Sequence, residues 1–255
     1  MTQLVHHPAY LFVILIVLLS LAATMGAVVL QRAIPISDDA RENYTVVQGA
    51  TLTLLALLIG FTLSMAVTRY DQRKNFEEEE ANAIGTQYLR ADLLGEPRSG
   101  ELKRLLRDYV TLRIEFYRTR DSDQLDVIDA RTADLQTQLW NQVRASAAAQ
   151  PNPIVALAVV GVNDVINTQG YTQAAWLNRV PVSAWGLMIA IAFFGNLMQG
   201  YGSRGVSGRR VLLFVLPVTL SLSLSLIADI DSPRGGLIRV VPQNLINLQQ
   251  SLPSN

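Results

Sequence analysis

The stretch "LLALLIGFTLSMAVTRYDQRKNFEEEEANAIG", Leu54 to Gly85, decides the fold. Its first half is hydrocarbon and its second half is charge. No Gly or Pro lies between Phe61 and Ile84, where the change occurs. The pattern predicts one helix that runs out of an apolar medium into water.

Outward from this helix, four stretches are nearly free of charge: Ala9–Leu30, Val47–Val67, Val182–Tyr201 and Val211–Ala228. A helix needs about 20 apolar residues to cross ~30 Å of hydrocarbon. The first stretch reads as a retained span rather than a signal peptide. The preceding "MTQLVHHP" has no Lys or Arg, and the apolar run is long for a signal sequence. A fifth run, Pro153–Val162, is short and is followed by the polar "NDVINTQG". It suits a buried core or interfacial helix. For "SLSLSLI", Ser221–Ile227, alternation suggests a strand, but a lone strand in hydrocarbon would leave its backbone unpaired, so helix is expected.

These spans predict an all-α, polytopic membrane protein with four transmembrane helices and a helical cytoplasmic insertion between the second and third. The expected divisions are 1–68 for the first two spans, 69–181 for the insertion, 182–230 for the last two spans and 231–255 for a cytoplasmic tail. Short polar segments, "QRAIPISDDARENYT" and "GSRGVSGRR", join the paired spans. Basic residues near the spans are almost evenly divided between the two sides. Translocating the charged insertion is unfavourable, so it and both termini are placed in the cytoplasm.

The insertion reads as helices. Leu102, Leu105, Leu106, Tyr109, Leu112 and Phe116 recur on one face, as do Leu125, Ile128, Leu135, Leu139 and Val143. Pro97 breaks the chain before the first set; Asp121 or Ser122 offers an N-cap to the second.

Composition excludes several functions. The formal net charge is zero, which argues against a nucleic-acid binder. There are no cysteines, so no thiolate metal site, disulfide or cysteine nucleophile. His6 and His7 read as a solvated tail. No nucleophile elbow, phosphate loop or H-E-x-x-H motif is present, so no catalytic, cofactor or metal site is expected and the chain is not read as an enzyme. "GYGSRGVSG", Gly200–Gly208, reads as a turn between spans.

Chemistry concentrates on the second span. Ala56, Gly60 and Ser64 fall four residues apart and continue to Thr68, a strip on which helices approach closely. Leu57 and Phe61 lie on the adjacent strip, either as ordinary helix-packing residues like the small strip itself or facing a shared axis, where apolar rings would gate ions by dewetting. Arg69 and Arg73 follow at the water edge, as snorkelling anchors or as a cationic mouth. The run Glu77–Glu80 is expected to be a solvated face, because consecutive residues point around a helix. Asn196 and Gln199 are expected to bond across helices or face water. Asp229 and Asp231 close the fourth span, as functional acids or as partners of Arg234 and Arg239.

"GFTLSMAVTRYDQ", Gly60–Gln72, resembles the pore-lining helix of the bestrophins. "EEANAIGTQYLRADLLGEP" and "DSPRGGLIRVVP" are similar to the bestrophin-like proteins of bacteria and plants. The resemblance implies a homo-oligomer in the lipid bilayer, a pentamer by analogy. Small anions such as chloride would pass along the second span, with Phe61, Leu57 and Thr53 at successive neck positions. Family members carry Phe and Ile where Leu57 and Thr53 stand, so the resemblance implies a neck that would be wider, and more polar at one end, here. No acidic cluster follows Asp231, so no calcium clasp is expected. The implied location is a bacterial inner membrane. The alternative reading is a non-conducting membrane scaffold or sensor whose cytoplasmic helices bind a partner.

Overall fold

A computed structural model describes residues 8–203 and 211–253. His6, His7, Arg204, Arg209 and Arg210 lie outside the described residues, as does most of the turn after Gly200. Among the described residues the structure is helical throughout, with no strand. Among the described residues, four stretches are long and apolar enough to cross a membrane: Pro8–Ala33, Asp39–Leu94, Pro153–Gly202 and Leu212–Asp231. The chain divides into two compact units, residues 1–68 with 179–239, and residues 69–178 with 240–255.

The first unit contains α1 (Pro8–Met25), the apolar part of α2 (Asp38–Arg90), α6 (Val182–Gly202) and α7 (Leu212–Asp231). Leu11, Leu15, Leu19 and Ala22 form a buried stripe on α1, which packs on α6 and α7. At its end α1 widens into a π-helical turn, Gly26–Leu30. Here a Cβ on Gly26 would lie 2.0 Å from the Leu197 carbonyl oxygen, and one on Gly200 would lie 1.9 Å from that of Ala23. The two backbones touch, which only glycine permits. The polar connection between the first two spans is mostly helical, because α2 already begins at Asp38. Pro217 is accommodated inside α7, and Ser221–Ile227 is helix as expected.

The second unit contains the charged part of α2, then α3 (Arg98–Arg118), α4 (Ser122–Ala149), α5 (Pro153–Leu177) and α8 (Gln243–Ser251). Its core is built from the stripes read in the sequence. Leu102, Leu105, Leu106, Tyr109, Leu112 and Phe116 of α3 are all buried, as are Ile128, Leu139 and Val143 of α4. Burying each large apolar side chain contributes about 1.5–3 kcal/mol. The Asp121 side chain caps α4 by accepting from the Asp123 N–H. Asn152 caps α5, accepting from the Ile154 and Val155 N–H groups at 2.9 Å, with Pro153 at the first helical position. The short apolar run at Pro153–Val162 supplies Val155, Ala158 and Val162 to this core. Its helix continues through the polar residues to Leu177. Residues after Val240, expected as a tail, pack within this unit: Leu245 is buried, and Leu248 lies against Gly85.

Candidate functional site on the long helix

Each part of α2 has its own buried face: Leu55, Thr62 and Ala66 in the first unit, and Arg73, Glu77, Glu80, Ile84 and Gln87 in the second. In the first unit these positions repeat at the helical period, so the opposite face is open. That face carries Thr53, Leu57, Gly60, Phe61, Ser64 and Thr68, all exposed; Phe61 is 64% exposed. A Cβ on Gly60 would meet nothing within 4 Å. The small strip of Ala56, Gly60 and Ser64 is therefore exposed among the described residues. Hydroxyls on the helix fold back onto it, Thr53 to the Gly49 carbonyl at 2.9 Å and Thr68 to that of Ser64 at 3.0 Å.

Two expectations for the charged half are corrected. Arg73, expected at a cationic mouth beside Arg69, is only 1% exposed. It lies on the buried face and donates from Nε to the Arg69 carbonyl at 3.2 Å. Arg69 is half-buried. The glutamate run is not a uniform solvated face. Glu78 and Glu79 are exposed, but Glu77 and Glu80 are buried because three residues bring the chain back to the same side.

Each buried glutamate has its own donors. Glu77 accepts the Leu245 backbone N–H at 2.9 Å and the Asn244 side-chain amide at 2.7 Å. Burial pushes its carboxyl above the usual range, outweighing the lowering effect of those bonds. Glu80 pairs with the Arg113 guanidinium and accepts the Tyr117 and Thr172 hydroxyls, each at 3.2 Å. Both Glu80 and Arg113 are fully shielded from solvent. Arg113 also lies over the Phe116 ring, 4.2 Å from its centroid. Burial works against the Arg113 charge, but the neighbouring Glu80 carboxylate opposes it and the guanidinium's pKa is raised. Sequence reading missed Arg113, Tyr117 and Thr172. The signal was present: Arg113 falls on the stripe that includes Tyr109 and Phe116, a charge where the period demands an apolar residue.

The acids at the end of α7 both accept backbone N–H groups. Asp229 accepts the Leu237 and Ile238 N–H groups at 2.7 and 2.8 Å. Gly236 is required there, since a Cβ would lie 2.6 Å from the Asp229 carboxylate. Asp231 accepts the Val180 N–H through both oxygens, at 3.1 and 3.2 Å. In α6, Asn196 does not bond across helices through its amide nitrogen; it donates to the Ala192 carbonyl of its own helix at 2.7 Å.

The Bestrophin-like domain model matches residues 14–245, and the chain belongs to that family. No curated protein matches the chain. Its fold is similar to that of a bacterial bestrophin homologue from Klebsiella pneumoniae. The crystal structure phased on zinc shares 13% identity, with a TM-score of 0.64 over 94% of this chain and 99% of that one. A tryptophan-to-alanine variant of the homologue gives a TM-score of 0.66 at 12% identity, covering 94% and 97%. An isoleucine-to-threonine variant gives 0.66 at 13%, covering 94% and 98%. The family is related to membrane channels.

Proposed function

We propose that the chain is the subunit of a homo-oligomeric ion channel whose axis is lined by the open face of α2. One observation carries the reading. A face turned to lipid gains from hydrocarbon alone, yet this one mixes Leu57 and Phe61 with Thr53, Gly60, Ser64 and Thr68. Apolar residues alternating with small polar ones suit a narrow aqueous path. Ala56, Gly60 and Ser64 then allow neighbouring copies to approach closely. The complex lies in a bacterial inner membrane, with the termini and second unit cytoplasmic and five copies by analogy with bestrophins.

The resemblance implies small anions, with Arg69 supplying the cationic mouth. A second reading, cations, is favoured by the exposed charges of α2 beyond Thr68. These include Asp71, Glu78 and Glu79 against Lys74, while Arg73 is buried. Rings of exposed carboxylates attract cations and repel anions. Reconstitution in liposomes under a potassium chloride gradient separates the two readings by the sign of the reversal potential. Absence of any flux rejects the channel in favour of a membrane scaffold.

A further inference from the structure

Arg113 is fully buried in the second unit, and only part of its hydrogen-bonding capacity is used. Its Nε donates to Glu80, while Nη1 and Nη2 find no acceptor among the described residues. A guanidinium carries five N–H donors, four of them on those two outer nitrogens. The Phe116 ring lies against the guanidinium but offers no lone pair. A buried ion pair is tolerated only when further hydrogen bonds satisfy its remaining protons. An unsatisfied charged donor in the interior costs more than an ordinary hydrogen bond contributes.

One turn earlier on α3 stands Tyr109, also fully buried. Its oxygen accepts the Gln136 side-chain amide of α4 at 3.0 Å, and the same nitrogen donates to Gln169 of α5 at 3.1 Å. Burial pushes the Tyr109 pKa well above the usual phenol range, so the hydroxyl keeps its proton. That O–H has no acceptor among the described residues. Tyr109 is close enough to Arg113 and Glu80 for both charges to act on it. Glu80 Oε1 accepts only the Arg113 Nε–H among the described residues, and a carboxylate oxygen has two lone pairs.

We propose that Arg113 and Tyr109 hold an ordered internal water molecule, which accepts from the guanidinium and the phenol and donates to the free lone pair of Glu80. Water fits this place better than an anion. Glu80 already balances the Arg113 charge, and Glu77 sets a second buried carboxyl on the same face of α2. A chloride ion would therefore add uncompensated negative charge to the interior. A buried water makes about three hydrogen bonds, which these groups supply. It joins Glu80 to Tyr109, Gln136 and Gln169, so that one polar network links α2, α3, α4 and α5. The site lies wholly within the second unit and is independent of conduction.

A high-resolution crystal structure of the protein grown in bromide instead of chloride tests the site. The expected result is a density peak at hydrogen-bond distance from an Arg113 Nη and the Tyr109 Oη, without anomalous signal at the bromine edge. An anomalous peak there overturns the proposal in favour of an anion, and the absence of any peak overturns it as well. Radiolytic hydroxyl-radical footprinting tests the site in solution, because a bound water delivers the radical to a side chain that bulk solvent does not reach. Tyr109 is expected to be oxidised in the native protein and several-fold less in Glu80→Leu/Arg113→Met. No oxidation of Tyr109 in the native protein overturns the proposal. Equal oxidation in the folded variant also does so, since bulk solvent then reaches the ring. If the variant fails to fold, the crystal structure and the native footprint decide.

Discussion

The Leu245 backbone N–H donates to the Glu77 carboxylate at 2.9 Å, so a side chain 168 residues earlier in sequence caps the start of α8. Pro242, at the N-cap position, has no side chain able to do so. The cap is a buried acid whose pKa is raised by desolvation and only partly restored by the hydrogen bonds it accepts.

That shift has a defined sign. The folded state holds the Glu77 proton more tightly than the unfolded state does. Stability from this group is therefore greatest below the ordinary glutamate range and declines as pH rises through the elevated folded value. Chemical denaturation of the second unit across mildly acidic pH is expected to show this downward slope. Glu77→Gln keeps an oxygen for Leu245 and removes the titration, so this component of the slope disappears. An unchanged slope in the variant shows that another group titrates.

Gly26→Ala and Gly200→Ala are expected to destabilise by about 1–3 kcal/mol or more, because each new methyl meets backbone rather than a movable side chain. Gly60→Ala has open space around it within one chain. It is expected to stabilise an isolated subunit slightly, by about 0.5–1 kcal/mol of helix propensity. The same change weakens the oligomer if copies meet at this strip. Thermal melts and mass measurement in mild detergent separate the two effects.

Phe61→Ala is expected to raise ion flux, because it removes an apolar ring from the proposed neck. Simple packing predicts the reverse, a cavity and a weaker oligomer with no new path. Arg69→Glu is expected to shift selectivity toward cations, most at low salt where screening is weakest. Liposome flux at two ionic strengths tests both. Unaltered flux in both variants removes α2 from the conduction path.

Asp229→Ala leaves the Leu237 and Ile238 N–H groups without their acceptor. Each such bond to a charged group contributes about 1.5–3 kcal/mol. A loss of this order, with faster proteolysis after Ser232, is expected. Flux should be insensitive to micromolar calcium chelation, because backbone donors occupy this carboxylate; inhibition by chelator indicates a calcium site elsewhere.

Much of the fold was legible because hydrophobic period is a strong signal. The stripe from Leu102 to Phe116 marked a buried face residue by residue, and apolar length marked the spans. The polar core was less legible. Reading the glutamate run as one solvated patch ignored the helical return that brings Glu77 and Glu80 together. Arg73 looked like an anchor at a water edge, and only its spacing of four residues from the buried Glu77 marks it as interior. Asp229 and Asp231 were ambiguous for a different reason. Both accept backbone N–H groups, of Leu237 and Ile238 for Asp229 and of Val180 for Asp231, which side-chain identity does not announce.

The second unit is discontinuous in sequence, with residues 69–178 completed by residues 240–255. This has a consequence for biosynthesis. When Glu77 leaves the ribosome, Leu245 has not been made, and α6 and α7 must be synthesised first. Until then the Glu77 carboxylate has no cap to make, and the surface that receives Leu245 and Leu248 is bare. Contacts of such long sequence separation form late and leave apolar surface exposed in the interim. Closure of α8 over this surface therefore comes late, only after α6 and α7 have been translated.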